Sequence, residues 1–241
     1  MVQAVIVAAG SGSRLYPLTD VIPKAMIPIG KSRTPLLELI IKHCVKHGIK
    51  DFVFCLNSET GKQIKNYFGD GERFGISIKY SYSDSPQGTA GEIRKAFLDR
   101  IITLPALVYY GDTLISTDLT KLMEQHKKRK ADVTTVVSDT VRIPYGVIVD
   151  REGRMERVVE KPTLPELIGL RTTDAGAIAS VYYVTVMDFF THYCDVGKDV
   201  SGGVLPEMMN DGYKMFTYHD NGDFIDVGNW KSYFESTEWN I

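Results

Sequence analysis

The sequence predicts an α/β fold, and three observations carry the prediction. Short apolar runs of strand length alternate with helical patterns through the first half of the chain. The first run, 2–8 (VQAVIVA), is almost wholly apolar, as a central strand covered on both faces must be, and it leads straight into a glycine loop. In the second half, strand patterns crowd together without full helices between them. That predicts a more antiparallel portion within a single domain spanning residues 1–241.

The elements follow in order. Residues 35–47 (PLLELIIKHCVKH) have apolar residues at helical spacing, with Pro35 at the start and Gly48 just past the end. Residues 51–56 (DFVFCL) read as the second strand and 62–68 as the helix after it. The stretch 76–80 (ISIKY) alternates with the period of a strand, and 89–100 fits a helix. Another buried strand, 106–110 (ALVYY), ends at Gly111-Asp112-Thr113. An amphipathic helix with a cationic end covers 119–130, and 132–137 returns as a strand. Strands at 146–149, 157–159 and 178–184 follow, then a helix near 203–209, a strand at 214–218 and a last helix at 230–238.

Composition excludes several classes of function. The chain has 241 residues, 28 basic and 30 acidic side chains, and a formal charge of −2, without the basic excess of a nucleic-acid binder. A chain of this length buries roughly 70–75% of its unfolded surface, enough for a core without staples. Cys44, Cys55 and Cys194 are scattered and form no Cys-x-x-Cys pair, so neither a disulfide framework nor a zinc site is expected. No apolar run approaches the ~20 residues that cross a bilayer. The start of the chain lacks a basic n-region and does not read as a signal peptide, so a reduced, cytoplasmic compartment is expected. A homo-oligomer is left open.

The residues that point to chemistry begin with Ala8-Ala9-Gly10-Ser11-Gly12-Ser13-Arg14-Leu15, directly after the first strand. Glycines there let backbone N–H groups turn towards an anion, and Arg14 adds a charge suited to phosphate. The dinucleotide fingerprint fails because Leu15 stands where its third glycine belongs. A Walker A loop ending at Gly30-Lys31-Ser32 fails because Ala25 replaces its first glycine and Pro28 lies inside it. From the glycines alone, a phosphate cradle and an ordinary tight turn weigh equally.

Asp112 follows a buried strand, where open α/β sheets place ligands, although a plain Asx turn would use it equally well. Asp226 sits between Phe224, Ile225 and Trp230, and taken alone it reads as a helix N-cap before it reads as a ligand. Lys24 and Lys161 both abut proline, which restricts the backbone beside an otherwise ordinary surface cation. His43 and His47 are four apart on a helix without a metal-binding partner motif, and are read as surface or half-buried residues.

Taken together, the segment 10–19 followed by Pro23-Lys24-Ala25-Met26-Ile27-Pro28-Ile29 resembles the signature of the sugar-1-phosphate nucleotidyltransferases. Further stretches agree in order. Pro86-Gln87-Gly88-Thr89-Ala90-Gly91 looks like that family's base-reading loop and Gly111-Asp112 like its first metal-binding aspartate. Glu160-Lys161-Pro162 looks like its sugar-phosphate lysine motif, and Phe224-Ile225-Asp226-Val227-Gly228 like the segment with its second metal-binding aspartate.

The resemblance implies a three-layer α/β/α domain with a mixed, mostly parallel, Rossmann-like sheet. It implies transfer of a nucleotidyl group from a nucleoside triphosphate to a sugar 1-phosphate, with release of pyrophosphate. Ala8, Ala9, Gly10, Gly12, Ser13, Arg14, Lys24, Gly88 and Thr89 would bind the nucleotide, Arg14 and Lys24 being catalytic. Gly146, Glu160 and Lys161 would hold the sugar phosphate, and Asp112 with Asp226 would hold Mg²⁺. The base-reading loop looks most like guanylyl- and uridylyl-transferring members, which ranks GTP and UTP ahead of dTTP and CTP, with a hexose or heptose 1-phosphate as acceptor.

Two rival readings stand beside it. One is a cytidylyltransferase for a non-sugar phosphate, and the other is a silent subunit that binds nucleotide-sugars. The sequence departs from the family at its Asn-Ala-Gly-like segment. Asp174-Ala175-Gly176 matches it by composition, and Ile178-Ala179-Ser180-Val181-Tyr182 by the strand that follows. A hexapeptide-repeat domain and an extended allosteric region of longer relatives are not expected.

Overall fold

The structure, a computed structural model, describes residues 1–140, 146–169 and 175–238. Its first strands are β1 (Gln3–Val7), β2 (Pro28–Ile29), β3 (Thr34–Pro35), β4 (Asp51–Asn57), β5 (Ser77–Ser83), β6 (Ala106–Tyr110) and β7 (Thr113–Ile115). The second half adds β8 (Val133–Ser138), β9 (Gly146–Arg151), β10 (Arg154–Glu160), β11 (Ala175–Val184), β12 (Met215–Asp220) and β13 (Phe224–Asp226). The helices are α1 (Leu18–Val21), α2 (Leu36–Lys46), α3 (Gly61–Phe68), α4 (Gly88–Leu98), α5 (Leu119–Arg129), α6 (Leu164–Gly169), α7 (Leu205–Asn210) and α8 (Trp230–Thr237).

Nine strands form one sheet in the order β5-β4-β1-β6-β11-β8-β12-β10-β9. Only β10 and β11 run against the other seven, so the sheet is mixed and mostly aligned. Alternation along β1 sets the layers. Ala4 and Ile6 pack with Leu36 and Ile40 of α2, Ile64 of α3 and Leu119 of α5 on one face. Val5 faces the other way, with Ala90 and Ile93 of α4 and Leu205 and Met208 of α7. The three-layer α/β/α expectation is met. Cys44, Cys55 and Cys194 are free and buried among these apolar side chains, and burial pushes the Cys44 thiol up to about 12.

Differences from the sequence reading have local causes. β9 and β10 are longer than the expected 146–149 and 157–159. They form a hairpin that turns at Glu152 (φ 53°) and Gly153 (φ 79°), the two positive φ values a tight hairpin requires. Exposed Arg154, Glu156 and Arg157 interrupt the apolar signal there. The helix expected near 203–209 begins only at Leu205, because Val200–Val204 winds as a wider π turn. Asp174, one candidate position of the Asn-like segment, lies outside the described residues.

One polar cluster holds the second half of the sheet together. His219 on β12 bonds Asp139 at 2.8 Å through Nδ1 and Asp150 at 2.6 Å through Nε2. Burial alone would lower its pKa, but bonds to Asp150 and Asp139 outweigh that and raise it above the ordinary 6.5. A raised folded value means the contribution to stability is complete below 6.5 and is lost as pH rises through the folded value. The urea midpoint of the wild type is therefore expected to fall over that window relative to His219→Asn. Parallel pH profiles for the two proteins would refute the clamp.

Candidate functional site

β1 and β6 lie side by side and parallel, and their C-terminal ends open the site. Gly111 N–H donates to the Val7 carbonyl at 2.9 Å, and a Cβ on Gly111 would lie 2.8 Å from that of Ala8. The glycine loop and Asp112 therefore leave the sheet together. They wall a cavity of about 270 Å³ that also receives Gly10, Ser13 and Lys24.

The two loop glycines serve different ends. Gly12 adopts φ 68°, and a Cβ there would lie 2.7 Å from Thr19 Cγ2. The Thr19 hydroxyl donates to the Gly12 carbonyl at 3.1 Å, so this glycine is required by the loop's own packing. Gly10 would place a Cβ in open space. Gly10→Val is expected to keep the wild-type melting temperature yet weaken nucleotide binding about tenfold or more, whereas Gly12→Val should lose both. Calorimetry and nucleotide titration check this, and undiminished binding by a folded Gly10→Val would refute the cradle.

Asp226 reaches Asp112 through a contact remote in sequence. β13 pairs antiparallel with β7, setting Asp226 opposite Thr113, and Val227 N–H donates to the Asp112 carbonyl at 2.9 Å. Lys24 Nζ donates to Asp112 Oδ2 at 2.6 Å, its side chain only 11% exposed. Burial and the neighbouring Asp112 carboxylate raise the Asp226 pKa from 3.8 to about 6, against the pull of Lys24 and Arg14. Asp226 Oδ1 is shielded from solvent without a hydrogen-bond partner. A buried carboxylate oxygen left open beside a second carboxylate is a donor set that suits a hard divalent cation. No group of three or more metal-ligating side chains occurs among the described residues.

A second cavity, about 300 Å³, shares Arg14, Asp112 and no other side chain with the first. Gly146 and Glu160 face each other across the β9–β10 hairpin in its wall. Lys161, at φ 49°, stands beside them with its side chain 80% exposed and Nζ 3.5 Å from Glu160 Oε1. The structure thus brings Arg14, Lys24, Asp112, Asp226, Gly146, Glu160 and Lys161 around two adjoining cavities, with Ala8, Gly10, Gly12 and Ser13 in the first. Ala9, Gly88 and Thr89 stand in the wall of neither. His43 on α2 and His47 at its C-terminal cap are half-buried, as expected, and line neither cavity.

Asp199, Ser201 and Tyr110 also line the second cavity without a sequence motif that marks them, and Ser180, within the 178–182 segment, joins them. Ser180 sits at φ 54° where the β11–β8 register shifts between Ile178 and Tyr182, a bulge that turns the strand towards the cavity. The Gly202-Gly203 pair after Ser201 was the available signal for the wide turn.

Comparisons with known proteins agree with this geometry. The model of a family described as nucleotidyl transferase matches residues 3–239. A UTP–glucose-1-phosphate uridylyltransferase of Synechocystis sp. is 28% identical over 97% of the chain, which spans 62% of that relative's length. A D-glycero-α-D-manno-heptose 1-phosphate guanylyltransferase of Aneurinibacillus thermoaerophilus is 35% identical over 66% of the chain and 67% of its own length. A solved Bacillus anthracis protein in complex with a sucrose superposes with a TM-score of 0.81 at 21% identity, covering 100% of this chain and 97% of its own. No helix among the described residues is long and apolar enough to cross a membrane.

Proposed function

The chain belongs to the nucleotidyl transferase family, and from that premise we propose that it joins a nucleoside triphosphate to a sugar 1-phosphate, giving a nucleotide-sugar and pyrophosphate. The observation that carries the reading is the meeting of two cavities at Arg14 and Asp112, one framed by the glycine loop and Lys24, the other by Gly146, Glu160 and Lys161. A phosphate–phosphate bond is made where two phosphorylated substrates meet, and the shared wall supplies that place.

The triphosphate lies along the Gly10–Ser13 loop, with backbone N–H groups and Arg14 towards its oxygens. The sugar phosphate rests by Lys161, and its oxygen attacks the α-phosphorus in line, opposite the departing pyrophosphate. Such transfers need little covalent chemistry, so positioning and charge neutralisation do most of the work. Asp112 and Asp226 would hold Mg²⁺, which when bound neutralises phosphate charge. Lys24 orients Asp112 and places a positive charge beside the leaving group.

The relatives include uridylyl-, guanylyl- and adenylyl-transferring proteins, and with the base-reading loop we infer GTP or UTP as the nucleotide and a hexose or heptose 1-phosphate as acceptor. The test is a matrix of five nucleotides against hexose and heptose 1-phosphates, read as pyrophosphate with and without Mg²⁺. Release that needs both substrates and the cation is expected. Release only with a non-sugar phosphate, or none with any pair, would overturn the reading.

A further inference from the structure

The segment that carries Asp199 is laced to the start of α4. Gly197 N–H donates to the Gln87 carbonyl at 2.7 Å, and Ala90 N–H to the Lys198 carbonyl at 3.0 Å. Val200 N–H donates to Thr89 Oγ1 at 3.0 Å, and that hydroxyl donates in turn to Asp199 Oδ1 at 3.1 Å. A hydroxyl has one proton to give, so the Thr89 proton is committed to Asp199. Gly88, at φ 74°, closes the bracket: a Cβ there would lie 2.6 Å from the Lys198 carbonyl oxygen. The Asp199 carboxylate is fixed in the cavity wall beside Ser180 and Ser201.

Glu160 stands in the same wall, packed against Gly202. A Cβ on Gly202 would fall 1.6 Å from Glu160 Oε2, so the glycine leaves the space the carboxylate fills. Four carboxylates line the acceptor cavity: Asp112 and Asp226, assigned above to the cation, and Asp199 and Glu160, which are left to accept hydrogen bonds beside the serine hydroxyls of Ser180 and Ser201 that can give or take them. Its cations, Arg14 and Lys161, answer the phosphate that every acceptor carries.

We infer that Asp199, set by Thr89, is the acceptor-side specificity residue of this site, taking sugar 1-phosphates whose other groups are neutral hydroxyls and rejecting those with a second negative charge. The inference rests on the reading given under Proposed function. Ring hydroxyls donate to Asp199 and Glu160, and a further anionic group brought against them meets like charge. Thr89 acts through Asp199 and is a positioning residue.

The experiment measures equilibrium binding of glucose 1-phosphate, mannose 1-phosphate and glucuronic acid 1-phosphate by calorimetry, with pyrophosphate release followed alongside. The wild type is expected to prefer a neutral acceptor, and Asp199→Asn to cut that preference tenfold or more with nucleotide affinity unchanged. Asp199→Ser serves if the Asn variant does not fold. Thr89 lines neither cavity and bonds Asp199, so, against the nucleotide-binding role the resemblance implies for it, Thr89→Val should raise the acceptor KM and leave kcat and nucleotide KM near wild type, and Thr89→Ser should restore it. An unchanged preference in the Asp199 variants, or a loss in Thr89→Val that falls on the nucleotide, overturns the inference. A wild type that discriminates in binding yet releases no pyrophosphate refutes the transferase reading and upholds the specificity. A wild type that binds no sugar phosphate refutes both.

Discussion

Asp226→Asn is expected to lower the rate of pyrophosphate release by about a hundredfold or more, because on the proposed reading it removes one of two charges that would hold a cation against the reacting phosphates. The change is nearly isosteric, and Asp226 Oδ1 has no hydrogen bond to lose. Since the Asp226 pKa is raised to about 6, its stabilising contribution is complete below 3.8 and lost as pH rises through about 6. At neutral pH the Asn variant should therefore melt no lower than the wild type in the absence of cation. Asp112→Asn should lose as much activity, and the double variant little more than the worse single one, since groups acting as a unit are not additive. Steady-state kinetics across a Mg²⁺ series, with melting curves, check this. Near-normal turnover by Asp226→Asn would remove it from the cation site.

The two lysines are expected to separate binding from chemistry. Lys161→Ala is expected to raise the KM for the sugar phosphate by about ten- to a hundredfold, the worth of one charge-assisted bond of roughly 1.5–3 kcal/mol. Its side chain is 80% exposed and supports nothing in the core, so folding should not suffer. Lys24→Ala removes the cation bound to Asp112 at 2.6 Å, next to the raised Asp226. That loss should fall mainly on kcat, with the acceptor KM little changed. Arginine should rescue neither fully, since its planar fork does not replace a compact ammonium. Equal losses on the same substrate would assign both lysines to one subsite.

What could be read from the sequence was what is local. β1, β4 and β6 announce themselves as apolar runs, and the loop after β1 shows its glycines and its arginine in one unbroken stretch. Asp112 follows from its place at a strand end. Asp226 does not, because what makes it more than a cap is its pairing with Thr113, and no periodicity near residue 226 encodes a partner so remote. Asp199 and Ser201 escaped for another reason: a wide turn has neither the period of a helix nor that of a strand. The lost ends of β9 and β10 show the cost of reading hydropathy alone on strands with exposed charged residues.

The pairing of β13 with β7 also dates the site within the life of the chain. Asp112 is in place once the first half of the sheet has formed, but its companion arrives only when residues 224–226 have been synthesised and have zipped onto Thr113–Ile115. On the proposed reading, a chain lacking residues 224–226 would keep the glycine loop and Lys24 for a triphosphate yet present only one of the two carboxylates. The proposed chemistry would then depend on a strand made more than a hundred residues after the one it pairs with.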